Sequence, residues 1–417
     1  MNPKDYLHNW NAAAVETPAL KRVAIDDETL RDGLQSPSVT HPSIEMKRQC
    51  LRYMVELGIQ RADIGLPMSA QLGDIRALLT TIAEERLPIA PGLAVRTVIS
   101  DFETVARLRD EFPTLPIKAN AFLAMSRLRM WAEEWEWSQV LDRAISSIAW
   151  AKRHDVPVMF VTEDTTRSRP EDIRSLYTLA VKEGASEVCI ADTVGDALPW
   201  GARAIVQFVR GALDEAGYQS VRINWHGHSD RGMALPNCFA AIEGGADVVH
   251  GTILGIGERS GNAQLDMLLV NLKLLGLWGA PLEALRPYVE VVSAATGIGV
   301  PLNYPVFGRD AFRTATGVHA AAIVKAKRRG ALDVADLVYS SVPASLVGRE
   351  QRIDVGPLSG KWCASAWLEA NGYRGDDEER IAKILDVARR SGRTLHSNEL
   401  HAIASGSALP PGLSLSS

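Results

Sequence analysis

The residues best placed to do chemistry are His226 and His228, two apart in the apolar run 221–228. Side chains two apart on a strand point the same way, so both imidazoles can converge on one ion. Asp32, just beyond the first apolar run, would complete a two-histidine, one-carboxylate set with open positions. Such a mixed nitrogen and oxygen site suits Zn²⁺, Mn²⁺, Mg²⁺ or Fe²⁺, and the residue types do not choose among them. Two structural histidines are the alternative. Arg31, beside Asp32, places a fixed cation where an enolate or polarised carbonyl could be stabilised, or else forms a strand-end salt bridge. Glu163 and Asp63 stand at the ends of two further runs and are carboxylates able to hold histidine tautomers, or ordinary loop charges. Gly255-x-Gly257 is no dinucleotide fingerprint, because no GxGxxG follows the first strand. It instead lets the chain turn tightly enough for Asn262 to reach the same place.

These residues need a scaffold, and the chain supplies a repeated one. Short apolar or β-branched runs lie at 22–27, 61–66, 92–97, 116–123, 157–162, 187–193, 221–228 and 246–252. Segments with helical periodicity separate them, as at 46–57, 137–152 and 172–183, and Gly58 and Gly184 close two of these. Eight strands alternating with helices across 21–275 predict a (β/α)8 TIM barrel of the α/β class, with an open doubly wound sheet as the alternative. Barrel chemistry belongs at the C-terminal strand ends, where Asp32, Asp63, Glu163, Thr193, His226 and His228 all fall. Residues 1–20 read as an N-terminal arm, 276–330 as a linker and helical subdomain, 331–405 as a small helical subdomain and 406–417 as a tail, so the extension is mainly helical. Trp131 and Trp135, four apart, predict a packed helix face, with a lid over substrate as the sharper alternative.

Composition excludes several classes. The 417 residues are 46% hydrophobic and 23% charged, with a formal charge of −5. That is a globular balance with no basic field for nucleic acid. No run approaches 18 apolar residues, so no membrane partner is expected, and the N-terminus carries no signal pattern. Cys50, Cys189, Cys238 and Cys363 lie far apart and read as reduced thiols of a cytoplasmic protein.

Two long motifs carry a family resemblance. Asp27-Glu-Thr-Leu-Arg-Asp-Gly-Leu-Gln35 resembles the signature of the DRE-type metal-dependent Claisen-condensing family, which includes 2-isopropylmalate, homocitrate and citramalate synthases and 3-hydroxy-3-methylglutaryl-CoA lyase. His226-Gly-His-Ser-Asp230, continuing through Gly251-Thr-Ile-Leu-Gly-Ile-Gly-Glu-Arg-Ser-Gly-Asn-Ala263, resembles the second. The resemblance implies that Asp32, His226 and His228 bind a divalent metal with Asn262 nearby or ligating, and that Arg31 is the catalytic arginine. It implies that Thr193 touches the 2-oxo acid carboxylate. Gln35, Asp63, Arg96 and Met159 are taken as further substrate-binding positions and Glu163 as catalytic. Phe312-Arg-Thr-Ala-Thr-Gly-Val-His319 is similar to the segment bearing a catalytic histidine in the synthases, with Tyr339 beside it. In relatives this segment enters the partner's site, which implies a homodimer.

Leu34 is the lyase-like choice within the first motif, whereas the long C-terminal region, His319 and the 255–262 segment resemble the synthases. The expected reaction joins acetyl-CoA, the cosubstrate, to a 2-oxo acid, giving a 2-substituted malate and CoA. In the homocitrate synthases that the chain resembles, a strand-5 arginine shortly before Glu-Asp reads the distal carboxylate of 2-oxoglutarate; no cation stands at 158–162 here, so the resemblance disfavours that substrate unless Arg96 or Arg127 substitutes. Met159 and Leu34 suit an apolar branch, as in 2-isopropylmalate synthase. Homocitrate, citramalate or phosphonomethylmalate synthesis, a lyase, and a non-catalytic retired barrel are the alternatives. The short stretch after 404 predicts no leucine-type regulatory domain.

Overall fold

The computed structural model describes residues 7–11, 20–68 and 70–408. Eight strands close into one barrel: β1 (Ala24–Asp27), β2 (Arg61–Asp63), β3 (Ala90–Arg96), β4 (Lys118–Ala124), β5 (Val158–Glu163), β6 (Glu187–Asp192), β7 (Arg222–Gly227) and β8 (Val248–Gly251). Every neighbouring pair is parallel. β8 closes on β1 with Ala24 opposite Val248 and Asp26 opposite His250. Both faces of these strands are covered, so they read as nearly unbroken apolar runs. Each predicted strand is present, which decides for the barrel over the open sheet.

The helices are α1 (Ile44–Glu56), α2 (Leu72–Glu84), α3 (Ile99–Glu111), α4 (Arg127–Glu133), α5 (Trp137–Arg153), α6 (Pro170–Glu183), α7 (Pro199–Glu215), α8 (Ala234–Gly244), α9 (Leu265–Leu274) and α10 (Leu285–Thr296). α1 starts where the Ser43 hydroxyl accepts from the Met46 amide. It stops before Gly58, whose φ of +77° a side chain would strain. Adjacent acids on β1 part company by strand alternation. Asp26 meets Arg61 at 3.2 Å, while Asp27 accepts from the Tyr288 hydroxyl of α10 at 2.8 Å. α10 therefore belongs to the compact unit that ends at 299 and begins, among the described residues, at 20, and position 275 falls inside that unit.

The second unit comprises 300–408 with 7–11 among the described residues. It holds α11 (Gly317–Arg328), α12 (Leu332–Leu337), α13 (Lys361–Ala370), α14 (Glu378–Arg390), α15 (Ser397–Ser405) and a two-stranded sheet of β9 (Arg313–Thr314) and β10 (Arg352–Ile353). Its core joins Trp367, Leu368, Ile384, Leu400 and Ile403. The packed tryptophan face is not found. α4 ends at Glu133, Glu134 turns left-handed at φ +57°, and Trp131 is left 81% exposed, while Trp135 lies under the Arg143 guanidinium. The four cysteines are buried free thiols. Among the described residues no helix is long and apolar enough to cross a membrane.

Candidate metal and substrate site

The C-terminal mouth gathers Arg31, Asp32, Asp63, Glu163, Thr193, His226 and His228. β7 turns Asn224 and His226 inward, and His228 follows immediately beyond its end. The His226 and His228 Nε2 atoms lie 3.3 Å apart, and Asp32 Oδ2 is 3.4 Å from the first and 3.7 Å from the second. All three side chains are buried. Asn262 bridges to His228 through the backbone and donates its amide to Asp32 Oδ1 at 3.0 Å. Gly257, at φ +154°, makes the approach possible: a Cβ there would stand 2.1 Å from Asn262 Nδ2 and 2.8 Å from Asp32 Oδ1. Only glycine takes such a backbone conformation without strain.

The set fits a divalent cation by its own chemistry. Asn262 Oδ1 is buried without a hydrogen-bond partner among the described residues, and the Nε2 atoms of two imidazoles face one carboxylate oxygen. Burial, then the neighbouring His226, lowers His228 to about 4 and keeps its ring neutral, as a ligand must be. Burial opposes ionisation of Asp32, but the Arg31 guanidinium, then His226, holds its carboxyl well below the usual range.

Arg31 is gripped by acids. One Nη meets Glu28, the other lies 3.0 Å from Asp32 Oδ2 and 3.4 Å from Gln35 Oε1, and Nε is 3.3 Å from Asp63 Oδ2. Two of these carboxyls are driven apart. Burial raises Asp63 to about 7 against the pull of Arg31. At Glu28 burial is outweighed by Arg31, then by His250, and the group falls to about 2. Asp63 also accepts from Asn120 Nδ2 at 3.0 Å.

A cavity of about 350 Å³ opens here, bounded by Arg31, Gln35, Asp63, Met159, Glu163, Thr193 and the histidines, with Leu66, Ala94, Phe122 and Val161 as apolar wall. Burial raises the Glu163 carboxyl. The Thr193 hydroxyl accepts from the Asp164 amide at 2.8 Å. A larger opening at the opposite mouth, about 970 Å³, contains none of these groups.

Arg96 is not brought to the cavity. Asp101, in the first turn of α3, holds its guanidinium at 2.9 and 3.0 Å and accepts from its backbone amide at 3.1 Å. Arg127 likewise pairs with Asp172 at 2.8 Å. Besides Arg31, the cavity is lined by Arg129 on α4, paired with Glu133 at 2.9 Å, and by Arg259, paired with Asp230 at 2.9 Å. His319 and Tyr339 lie in the second unit, where their rings stack with centroids 3.9 Å apart.

Sequence reasoning missed Glu28, His250, Asn120 and Arg129. For the first three the available signal was an inward-facing polar residue in an otherwise apolar strand or at its end.

A parallel eight-stranded barrel with an acid-and-histidine cluster at its C-terminal mouth defines the class. Within it, residues 22–291 match the HMGL-like family model, and the chain belongs to that family. It is similar to "Homocitrate synthase AksA" of Methanopyrus kandleri, 33% identical over 365 residues, covering 87% of this chain and 86% of the relative. It is similar to a "Probable 2-isopropylmalate synthase" of Ignicoccus hospitalis, 32% identical, covering 89% of this chain and 88% of the relative. Among solved structures, hydroxymethylglutaryl-CoA lyase from Pseudomonas aeruginosa superposes with TM-score 0.56 at 19% identity, covering 68% of this chain and 95% of its own, a likeness of fold.

Proposed function

We propose that the protein condenses acetyl-CoA with a 2-oxo acid, giving a 2-substituted malate and free CoA, as an acyltransferase that depends on a divalent metal. The observation that carries this is the convergence of Asp32, His226 and His228 with Arg31 held beside them. Asp32, His226 and His228 would hold the cation, with Asn262 adjacent. Bound there, a divalent cation supplies Lewis acidity and a template for the 2-keto and carboxylate oxygens.

The remaining chemistry falls to side chains. Thr193 and Gln35 orient the 2-oxo acid at the mouth. A base takes a proton from the acyl methyl, and the resulting enolate forms the new carbon–carbon bond at the keto carbon. The keto oxygen becomes an alkoxide, which the Arg31 guanidinium stabilises before it is protonated. Water then cleaves the thioester, leaving a carboxylate and the CoA thiol. Glu163, raised by burial, lies against the cavity as one proton-transferring group. His319 with Tyr339 is proposed as the other, in a homodimer. The proposed setting is the cytoplasm, in keeping with four buried free thiols. Nucleic acid and membrane are not proposed as partners.

The apolar wall of Leu66, Ala94, Phe122, Met159 and Val161 favours a 2-oxo acid with an apolar branch, the activity of a 2-isopropylmalate synthase. Arg129 supports a second reading, in which a distal acidic group is bound, as in homocitrate or phosphonomethylmalate synthesis. A synthase is favoured over a lyase because the synthase relatives match 87–89% of this chain, second unit included, and the lyase neighbour 68%. The test is CoA-thiol release from acetyl-CoA with a panel of 2-oxo acids and Mn²⁺, Mg²⁺ or Zn²⁺. Release with a branched or an acidic member chooses between the two substrate classes; no release with any overturns the reading.

A further inference from the structure

We propose that Glu28 and His250 form a buried positioning pair that fixes Arg31 and His226 from behind; the proposal rests on the metal-site reading above. Both side chains are 2% exposed, and they come from the two strands that close the barrel. Glu28 Oε1 faces His250 Nδ1 at 2.8 Å and His226 Nδ1 at 3.8 Å, while Oε2 accepts from Arg31. One carboxylate thus faces the catalytic guanidinium and the rear nitrogen of a histidine whose front nitrogen points at Asp32. Groups behind a ligating histidine set its ring orientation and tautomer.

His250 is itself clamped. Its Nε2 faces Asn224 Oδ1 at 3.3 Å, and the Asn224 amide is fixed by donating to Glu187 Oε2 at 3.0 Å and to Val188 O at 3.2 Å. The ring therefore cannot turn without breaking contacts at both nitrogens. Glu28, His226 and His250 also lie close enough to hold a cation of their own. Glu28 already accepts from Arg31 at one oxygen and faces His250 Nδ1 at 2.8 Å with the other, which assigns the pair to positioning.

The experiment uses the full chain. In His250→Asn the amide nitrogen sits near the former Nδ1 and keeps the contact to Glu28; in His250→Gln it reaches toward Asn224 and loses it. Mn²⁺ affinity of the metal-free protein, with kcat and KM for the best 2-oxo acid, is expected within about threefold of wild type for His250→Asn and lowered about 10–100-fold in affinity or kcat for His250→Gln. Glu28→Gln, which keeps the volume, should lower kcat by a similar factor with KM little changed, and it decides the matter should the His250 variants fail to fold. Equal behaviour of the two His250 variants with an unimpaired Glu28→Gln overturns the proposal, as do two Mn²⁺ per chain. Metal-loaded wild type without CoA release overturns the condensing reading alone, because Mn²⁺ affinity still judges the pair.

Discussion

Asp27→Asn should make the protein more stable at neutral pH, by an amount that grows with pH. The carboxyl is fully buried between β1 and α10, accepting from the Thr29 amide at 2.8 Å and the Tyr288 hydroxyl at 2.8 Å. These bonds favour the ion, but desolvation outweighs them and raises the group from 3.8 to about 6. A raised folded-state value means the folded protein binds the proton more tightly than the unfolded chain. The associated stability is fully present below pH 3.8 and is lost as pH climbs through about 6. Each pH unit of such a rise is worth about 1.4 kcal/mol. The rise from 3.8 to about 6 therefore corresponds to about 3 kcal/mol. Asparagine keeps an acceptor for Thr29 and offers a donor to the Tyr288 oxygen, without a charge. Urea unfolding of wild type and variant, followed by circular dichroism between pH 4 and 7, isolates the group because other carboxyls cancel in the difference. The variant's advantage should grow by about 2–3 kcal/mol across that interval. A difference flat in pH, or shrinking as pH rises, would refute the argument.

Gly257→Ala puts a Cβ against Asn262 and Asp32 at a φ of +154°. Strain of about 1–3 kcal/mol and sharply weakened Mn²⁺ binding are expected, read by melting and titration. Asp32→Ala and His226→Ala should each abolish turnover; retained CoA release would remove that residue from the metal set. Arg96→Ala should leave the KM for the 2-oxo acid within about twofold, since an exposed ion pair contributes little, whereas Arg129→Met should change acceptance of acidic 2-oxo acids in the same assay. Arg61 sits between Asp26 and Glu187 at the barrel base. Arg61→Met strands Asp26, while Glu187 keeps Lys118 at 3.3 Å and the Asn224 amide at 3.0 Å, and a loss of about 3–5 kcal/mol in urea unfolding is expected from the unpaired Asp26.

The barrel was legible because short, largely apolar or β-branched runs recur between stretches of helical periodicity, so eight runs could be counted without knowing how they pair. The metal-facing set was legible for a related reason. His226 and His228 share one strand end, and Asp32 follows another, so barrel topology alone brings them to one mouth. Arg96 shows the limit. It continues the inward parity of Ala94, yet Asp101 captures it at the first turn of α3, a competition that strand parity cannot express. Arg129 was missed for the converse reason. It reaches the cavity from a short helix, and no strand position marked it. The helical stretch within 276–330 was legible, but its tie to the barrel was not: Tyr288 of α10 donates to Asp27, and the Thr40 amide donates to Thr296 O at 2.8 Å.

Glu28 and His250 lie 222 positions apart and meet only because β8 closes against β1, so neither motif could reveal the pair by itself. Their place in the barrel gives that meeting its consequence. Asn224 and His226 climb one face of β7, and His228 continues that face just beyond the strand's end, at about 6–7 Å per step. Each rung takes a different partner: Asn224 is fixed by Glu187 at the base, His226 backs onto Glu28, and His228 faces Asp32 and Asn262 at the mouth. The base is held by Arg61, which binds Asp26 of β1 and Glu187 of β6, so the lowest rung is locked from two sides of the barrel. A slip of one residue in β7 would turn all three rungs outward together. The ionic base and the mouth are thus one construction, in which rigidity at the bottom is converted, through His250 and Glu28, into a fixed direction for the guanidinium and imidazole at the top.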